Sequence, residues 1–292
     1  IRLAPPLPKA PCMSTTSSFE HPAVQLRLLE QRARKRFGQN FLTDPNAVTR
    51  IAKLGGVREG TRVLEVGPGL GALTRALHQA GGTVHAIELD RDLADYLESE
   101  LPSLVLTRGD AMKSDLELAA PGDGWVCCAN LPYNVGTRIL LRLLPLYPKF
   151  TRLVLMFQRE VANRIIAEPR TKAYGSLTVM CQAFSKPRYG FTLPPGAFHP
   201  PPKVHSTVVV FDLREEPLLG GASPEGFEHA VRAGFSLRRK TLVNALSCLY
   251  EKEAARAVLD ETVGLGHRAE ELSLEEWGRL AFGLEQSGAR LR

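Results

Sequence analysis

Arg62-Val63-Leu64-Glu65-Val66-Gly67-Pro68-Gly69-Leu70-Gly71 is a short β-branched run that breaks into three glycines spaced two apart. Such a run reads as a strand ending in a loop whose missing Cβ atoms let the backbone approach a ligand closely. Residues 72–79 read as a helix, 83–88 as a second strand, and 91–100 as an amphipathic helix with Leu93, Tyr96 and Leu97 on one face. Strands alternating with helices in this way open a parallel, doubly wound sheet.

Upstream, Asp44 is an acceptable N-cap and Pro45 sits in the first turn of a helix running to about residue 53. Downstream, 104–107, 125–129 and 152–157 read as further strands. The β-branched run 204–211 follows 189–193 through a link holding Pro194, Pro195, Pro200, Pro201 and Pro202. That link is too short for a helical crossover, so the two strands form an antiparallel pair at the sheet's edge. Beyond Arg214, Pro217, Gly220 and Gly221 make a linker. Residues 225–233, 237–250, 253–260 and 274–284 then read as helices, the last with Ser273 and Glu276 as a capping box. The expected fold is α/β: a Rossmann-like domain over 31–214, mostly parallel with an antiparallel edge strand, then a small all-helical C-terminal domain over 215–292. Residues 1–30, rich in Pro, Ser and Thr, are expected to be a disordered N-terminal extension, with Met13 a candidate natural start. An organellar transit peptide is the rival reading, against which Glu20 and the scarcity of Arg before residue 27 both count.

A glycine loop alone does not choose its ligand, because dinucleotide enzymes use the same logic. Here the spacing is G-x-G-x-G rather than G-x-G-x-x-G, and a carboxylate, Glu65, lies just before the loop. Both features favour S-adenosylmethionine as cofactor. Glu88 ends the next strand about 20 residues on, where a carboxylate accepts both ribose hydroxyls. Asp110, in Gly109-Asp110-Ala111, is placed either to accept from an adenine amino group or to serve as an N-cap.

Asn130-Leu131-Pro132-Tyr133 directly follows the strand 125–129, at the carboxyl edge where doubly wound sheets bind ligands. The exocyclic amine of adenine is a poor nucleophile because its lone pair is delocalised into the ring. A site that methylates it should accept its N–H protons and hold the nitrogen in line with the donor methyl. The Asn130 side-chain carbonyl and the Leu131 main-chain carbonyl can accept those bonds. Pro132 stiffens the turn, and the Tyr133 ring can stack on an extruded base, worth ~1–3 kcal/mol. Positioning and charge complementarity dominate such a reaction, and no strong base is required.

The formal net charge is +6, and the basic residues gather in two knots: Arg32, Arg34, Lys35 and Arg36, and Arg238, Arg239 and Lys240. Compact knots suit phosphate contacts better than a diffuse basic surface does. The cysteines Cys12, Cys127, Cys128, Cys181 and Cys248 show no C-x-x-C spacing, so neither a metal site nor a disulfide framework is expected. No apolar run approaches the ~20 residues that span a bilayer, and no secretory signal pattern opens the chain. A soluble, cytoplasmic protein that binds no membrane is expected, with nothing demanding more than a monomer.

At this point the sequence resembles the KsgA (RsmA) family of ribosomal RNA small-subunit adenine N6,N6-dimethyltransferases. The resemblance runs from about Arg34 to Leu246 through seven blocks in order. They are Arg34-Lys35-Arg36-Phe37-Gly38-Gln39-Asn40-Phe41-Leu42, the loop from Glu65 to Gly71, Ile87-Glu88-Leu89-Asp90, Asn130 to Tyr133, Lys172-Ala173-Tyr174-Gly175, Phe198-His199-Pro200-Pro201-Pro202-Lys203-Val204-His205-Ser206, and Phe235-Ser236-Leu237-Arg238-Arg239-Lys240-Thr241-Leu242. It implies a class I S-adenosylmethionine-dependent methyltransferase fold and a cofactor pocket of Gln39, Asn40, Leu42, Glu65, Gly67, Gly69, Gly71, Glu88, Leu89, Asp110, Ala111 and Asn130. Read alone, 37–42 is only an apolar entry segment. The resemblance also implies that Phe198, more often a core residue when read alone, joins Tyr133 in sandwiching the target adenine. Arg34, Lys35, Arg36, Lys203, Arg238, Arg239 and Lys240 would touch RNA. The implied substrate is a pair of adjacent adenosines in a hairpin near the 3′ end of small-subunit rRNA, within a pre-assembled ribosomal particle, during ribosome biogenesis. His205 and Gly136 depart from the family's usual residues, away from the proposed chemistry.

Three rivals stand beside this reading. The erythromycin-resistance methyltransferases act on large-subunit rRNA with a similar glycine loop, but the Pro-Lys-Val-x-Ser and Phe-Ser-x-Arg-Arg-Lys-Thr-Leu blocks favour the small-subunit family. A non-catalytic assembly factor or mitochondrial transcription factor on the same scaffold would not need intact 65–71 and 130–133 blocks. An NAD-binding dehydrogenase would need a different glycine spacing and an acid–base pair.

Overall fold

The computed structural model describes residues 39–237 and 240–288. The expected extension over 1–30 and the basic residues Arg34, Lys35, Arg36, Arg238 and Arg239 lie outside the described residues.

A two-residue strand, β1 (Phe41–Leu42), leads into α1 (Pro45–Gly55), where the Asp44 carboxylate accepts from the Asn46 main-chain N–H at 2.9 Å. The alternating core follows as β2 (Arg62–Val66), α2 (Ala72–Gln79), β3 (Thr83–Glu88) and α3 (Arg91–Glu100), each with the expected bounds. Next come β4 (Val105–Arg108), α4 (Leu116–Ala119), β5 (Trp125–Asn130), α5 (Gly136–Leu143), β6 (Phe150–Gln158), α6 (Arg159–Ile165) and α7 (Ser176–Phe184). The strands end with β7 (Ser185–Leu193), a short β8 (Phe198–His199) that pairs with β1 outside the main sheet, and β9 (Ser206–Leu213).

Seven strands form one sheet in the order β4-β3-β2-β5-β6-β9-β7. β2, β3, β4, β5 and β6 pair in parallel, while β9 runs antiparallel to both β6 and β7. The antiparallel pair thus occupies the edge, as the Pro-rich link between its strands requires. β2 has β3 on one side and β5 on the other, so the chain reverses its direction of winding there. Loops leaving β2 and β5 diverge and open a crevice at their carboxyl ends.

Two apolar layers cover the sheet. On one face Val63, Ala86, Val126, Val154 and Val210 meet Val48, Ile51 and Leu77 from α1 and α2. On the other, Leu64, Ile87, Leu155 and Phe211 meet Ile139 and Leu140 of α5 and Val179 and Ala183 of α7. This second layer runs without a break into the C-terminal helices α8 (Pro224–Gly234), α9 (Leu242–Leu246), α10 (Lys252–Thr262) and α11 (Leu274–Gln286). Tyr174 joins the two parts: its hydroxyl donates to the Leu272 carbonyl at 2.9 Å, and its ring meets Phe235, which stacks on Trp277. Ser273 and Glu276 form the expected capping box at the start of α11.

The helix expected over 237–250 is much shorter. Lys240 N–H donates to the Leu237 carbonyl in a turn, and Thr241 takes the extended geometry of a cap, so the helix starts only at Leu242. Among the described residues no helix is long and apolar enough to cross a membrane.

Candidate active site

The crevice at the switch point is lined from β1, the glycine loop, the end of β3, the loop after β4 and the Asn130–Tyr133 turn. Gly67, Gly69 and Gly71 all hold positive φ, at 70°, 59° and 77°. At Gly69 the need is also steric: a Cβ would stand 3.0 Å from the Phe41 ring. Gln39, Asn40, Leu42, Glu65, Gly67, Gly69, Glu88, Leu89, Asp110, Ala111 and Asn130 all line this one cleft, as do Leu131, Pro132 and Tyr133.

Gly71 does not line it. It starts α2, where a Cβ would meet Arg75 Nη1 at 2.7 Å and Leu97 and Leu101 at 3.1 Å, so its role is to let the loop turn into the helix. Phe198 does not line it either. Only 4% exposed, it pairs with Leu42 across β1 and β8 and packs in the core beneath the cleft. Lys203 and Lys240 are exposed.

Two carboxylates sit under the glycine loop. Glu65, 1% exposed on β2, accepts from the Thr74 hydroxyl of α2 at 2.6 Å. Burial drives its pKa up to about 8, against the Thr74 hydrogen bond and with help from the nearby Glu88 charge. Glu88 accepts from the main-chain N–H groups of Gly69 at 3.1 Å and Asp90 at 2.8 Å. Burial raises its pKa as well, with those hydrogen bonds opposing. The Leu89 N–H also bonds this carboxylate, whose four lone-pair sites still leave room for a ligand hydroxyl.

Asp110 folds its own loop by accepting from Met112 N–H at 2.8 Å, in a turn rather than at a helix N-terminus, and it also lines the cleft. Leu89, 50% exposed, offers an apolar wall beside it. Asp90 was not singled out as a ligand from the sequence, yet it lines the cleft and accepts from Gln39 Nε2 at 3.0 Å. Its position in Ile87-Glu88-Leu89-Asp90 was the available signal.

On the opposite side, Asn130 Nδ2 donates to the Asn40 carbonyl at 2.9 Å. That bond uses one of the amide's two N–H donors and turns the Nδ2 end toward Asn40. The Tyr133 and Ser206 hydroxyls share a hydrogen bond at 2.5 Å, which fixes the Tyr133 ring, and burial raises the phenol's pKa. The cleft therefore combines an apolar slot, a pair of buried carboxylates and an acceptor-only amide oxygen. This set suits a cationic, ribose-bearing ligand beside a group carrying N–H protons.

A family model described as ribosomal RNA adenine dimethylase matches residues 30–285. A Syntrophotalea carbinolica protein named ribosomal RNA small subunit methyltransferase A is 43% identical over 256 residues, covering 87% of this chain and 97% of that protein. A Vibrio cholerae protein of the same name is 41% identical over 263 residues, covering 88% and 95%. Among solved structures, a dimethyladenosine transferase from Plasmodium falciparum is similar with a TM-score of 0.74 at 25% identity, covering 86% of this chain and 100% of that one. The 23S rRNA methyltransferase ErmE is similar with a TM-score of 0.62 at 30% identity, covering 85% and 100%.

Proposed function

The chain belongs to the ribosomal RNA adenine dimethylase family, and from that premise we propose that it dimethylates the N6 amines of two adjacent adenosines in a hairpin near the 3′ end of small-subunit rRNA. S-adenosylmethionine is the methyl donor of the family, and its sulfonium supplies an electrophilic methyl group when bound. A glycine loop held at positive φ along the cleft, together with the buried carboxylates beneath it, suits that donor. Glu88 would hold the ribose hydroxyls, Leu89 and Ala111 the adenine faces, Asp110 the adenine amino group, and Glu65 would support the loop beneath the donor's charged end.

The observation that carries the reading is the oriented amide of Asn130. Its Oδ1, with the Leu131 carbonyl, accepts N–H bonds from the target adenine and turns the nitrogen lone pair toward the donor methyl. Pro132 stiffens the turn, and Tyr133, fixed by Ser206, offers the stacking face. Phe198 would supply the second face of that clamp after a shift of β8, since it is buried as it stands. Lys203 and Lys240, with Arg34, Lys35, Arg36, Arg238 and Arg239, would contact phosphates, and the helical segment 215–292 would act with the 31–214 domain as an RNA-binding unit. The physiological substrate is a pre-assembled small-subunit particle in the cytoplasm, met by a monomer.

The test is transfer of labelled methyl to small-subunit particles lacking the modification, with large-subunit rRNA in parallel and mass spectrometry of the digest. N6,N6-dimethyladenosine confined to small-subunit rRNA supports the reading. Label in the large subunit would move the chain toward the ErmE-like activity, and tight particle binding without label would leave an assembly factor.

A further inference from the structure

The loop after β4, 109–114, carries Asp110 and Ala111 into the cleft. Its inner side is well tied. Gly109 N–H donates to the Glu88 carbonyl at 2.8 Å, and the Asp110 carbonyl accepts from the N–H groups of Lys113 and Ser114, each at 2.8 Å. The Ser114 hydroxyl donates to the same carbonyl at 2.9 Å.

On the outer side two carbonyls, those of Ala111 and Ser114, accept from one side chain. Arg142 of α5 donates from Nη1 to Ala111 O and from Nη2 to Ser114 O, the latter at 2.5 Å. A planar guanidinium presents its N–H groups in a fixed fork, so two carbonyls held this way cannot move independently. α5 itself is anchored: Ile139, Leu140 and Leu143 are buried, and the helix begins three residues after Tyr133.

From this clamp we infer that Arg142 is a positioning residue for donor binding, setting the distance between the Asp110–Ala111 wall and the Asn130–Tyr133 turn through a single rigid helix. Arg142 does not line the cleft, so its action runs entirely through the loop. The inference rests on the reading of 110–111 as the adenine wall.

The experiment is titration calorimetry on the full chain with S-adenosylhomocysteine and, separately, 5′-methylthioadenosine, comparing Arg142→Ala, Arg142→Lys and Asp110→Ala. Loss of two hydrogen bonds to carbonyls should weaken both ligands by about tenfold in Arg142→Ala. Because the defect lies on the adenine side, the two ligands should weaken by the same factor. Arg142→Lys, which keeps a cation but not the fork, should fall between. In steady state, KM for the donor should rise while kcat at saturating donor holds.

Unchanged affinity in Arg142→Ala while Asp110→Ala weakens both ligands would overturn the inference and leave the adenine wall standing. Unchanged affinity in Asp110→Ala would instead sink the adenine-wall reading. If Arg142→Ala does not fold, Arg142→Lys decides: wild-type affinity there overturns the inference. A fall in kcat with KM unmoved would mean that Arg142 merely supports α5.

Discussion

Asn130 Nδ2 and the main-chain carbonyl of Asn40 lie 2.9 Å apart, joining residues 90 positions distant in sequence. The bond ties the entry segment to the turn after β5 and orients the Asn130 amide, with Nδ2 toward Asn40.

Asn130→Ala should therefore lower kcat by ~10²–10³, as loss of one preorganised polar contact does, with RNA affinity nearly intact. Asn130→Asp keeps an acceptor oxygen but sets a carboxylate against the Asn40 carbonyl, so it should be no rescue. Single-turnover methyl transfer checks both, and near-normal turnover in either would remove Asn130 from the chemistry.

Gly69→Ala combines a left-handed φ of 59° with a Cβ at 3.0 Å from Phe41. The backbone strain costs about 1–2 kcal/mol, and relief of the contact pushes β1 away from the cleft. A lower melting temperature together with weaker donor binding is expected, read by calorimetry of the free and titrated protein. Wild-type donor affinity would show that Phe41 yields without disturbing the cleft.

Glu65 gives a pH dependence of stability. Its folded-state pKa of about 8 lies above the ordinary carboxylate value of 4.5, so the folded chain holds a proton that the unfolded chain has released. The associated stability is present below about pH 4.5 and is lost as pH rises to about 8. Between pH 5 and pH 9 the wild type should lose on the order of a few kcal/mol more than Glu65→Gln. Urea unfolding of the two proteins without donor measures this, and parallel stability–pH curves would contradict it.

Lys203→Ala with Lys240→Ala should reduce the slope of log affinity against log salt for RNA by about 1–2, since each phosphate contact contributes ~0.7–0.9. Filter binding at several salt concentrations decides it, and an unchanged slope means that both lysines are solvated surface.

The sequence was most legible where local pattern and tertiary role coincide. The run from Arg62 to Glu100 announces its strands by β-branched residues, its turns by glycine and its helices by apolar spacing, and the bounds agree residue for residue. Helix α7 was not legible because it is buried on most sides: Leu177, Thr178, Val179, Cys181 and Ala183 leave no polar face to give a period. β1 and β8 are two residues each, too short for alternation, and only their pairing makes them strands. In the cleft, the glycines and the carboxylates at 65 and 88 announce themselves by spacing. Arg142 could not, because its partners are main-chain carbonyls that no residue type encodes.

In the proposed grip, the orientation of the Asn130 amide also sets a count. If N6 is gripped by acceptors alone, adenosine brings two protons to the grip, the monomethylated base brings one after rotating about its exocyclic bond, and the dimethylated base brings none. The proposed acceptors then have no proton left to hold, with only stacking on Tyr133 remaining, and N6,N6-dimethyladenosine should be the weakest of the three as a competitor. In that proposed grip, ending the reaction needs no separate sensor of completion, because the finished product is the one its acceptors no longer bind.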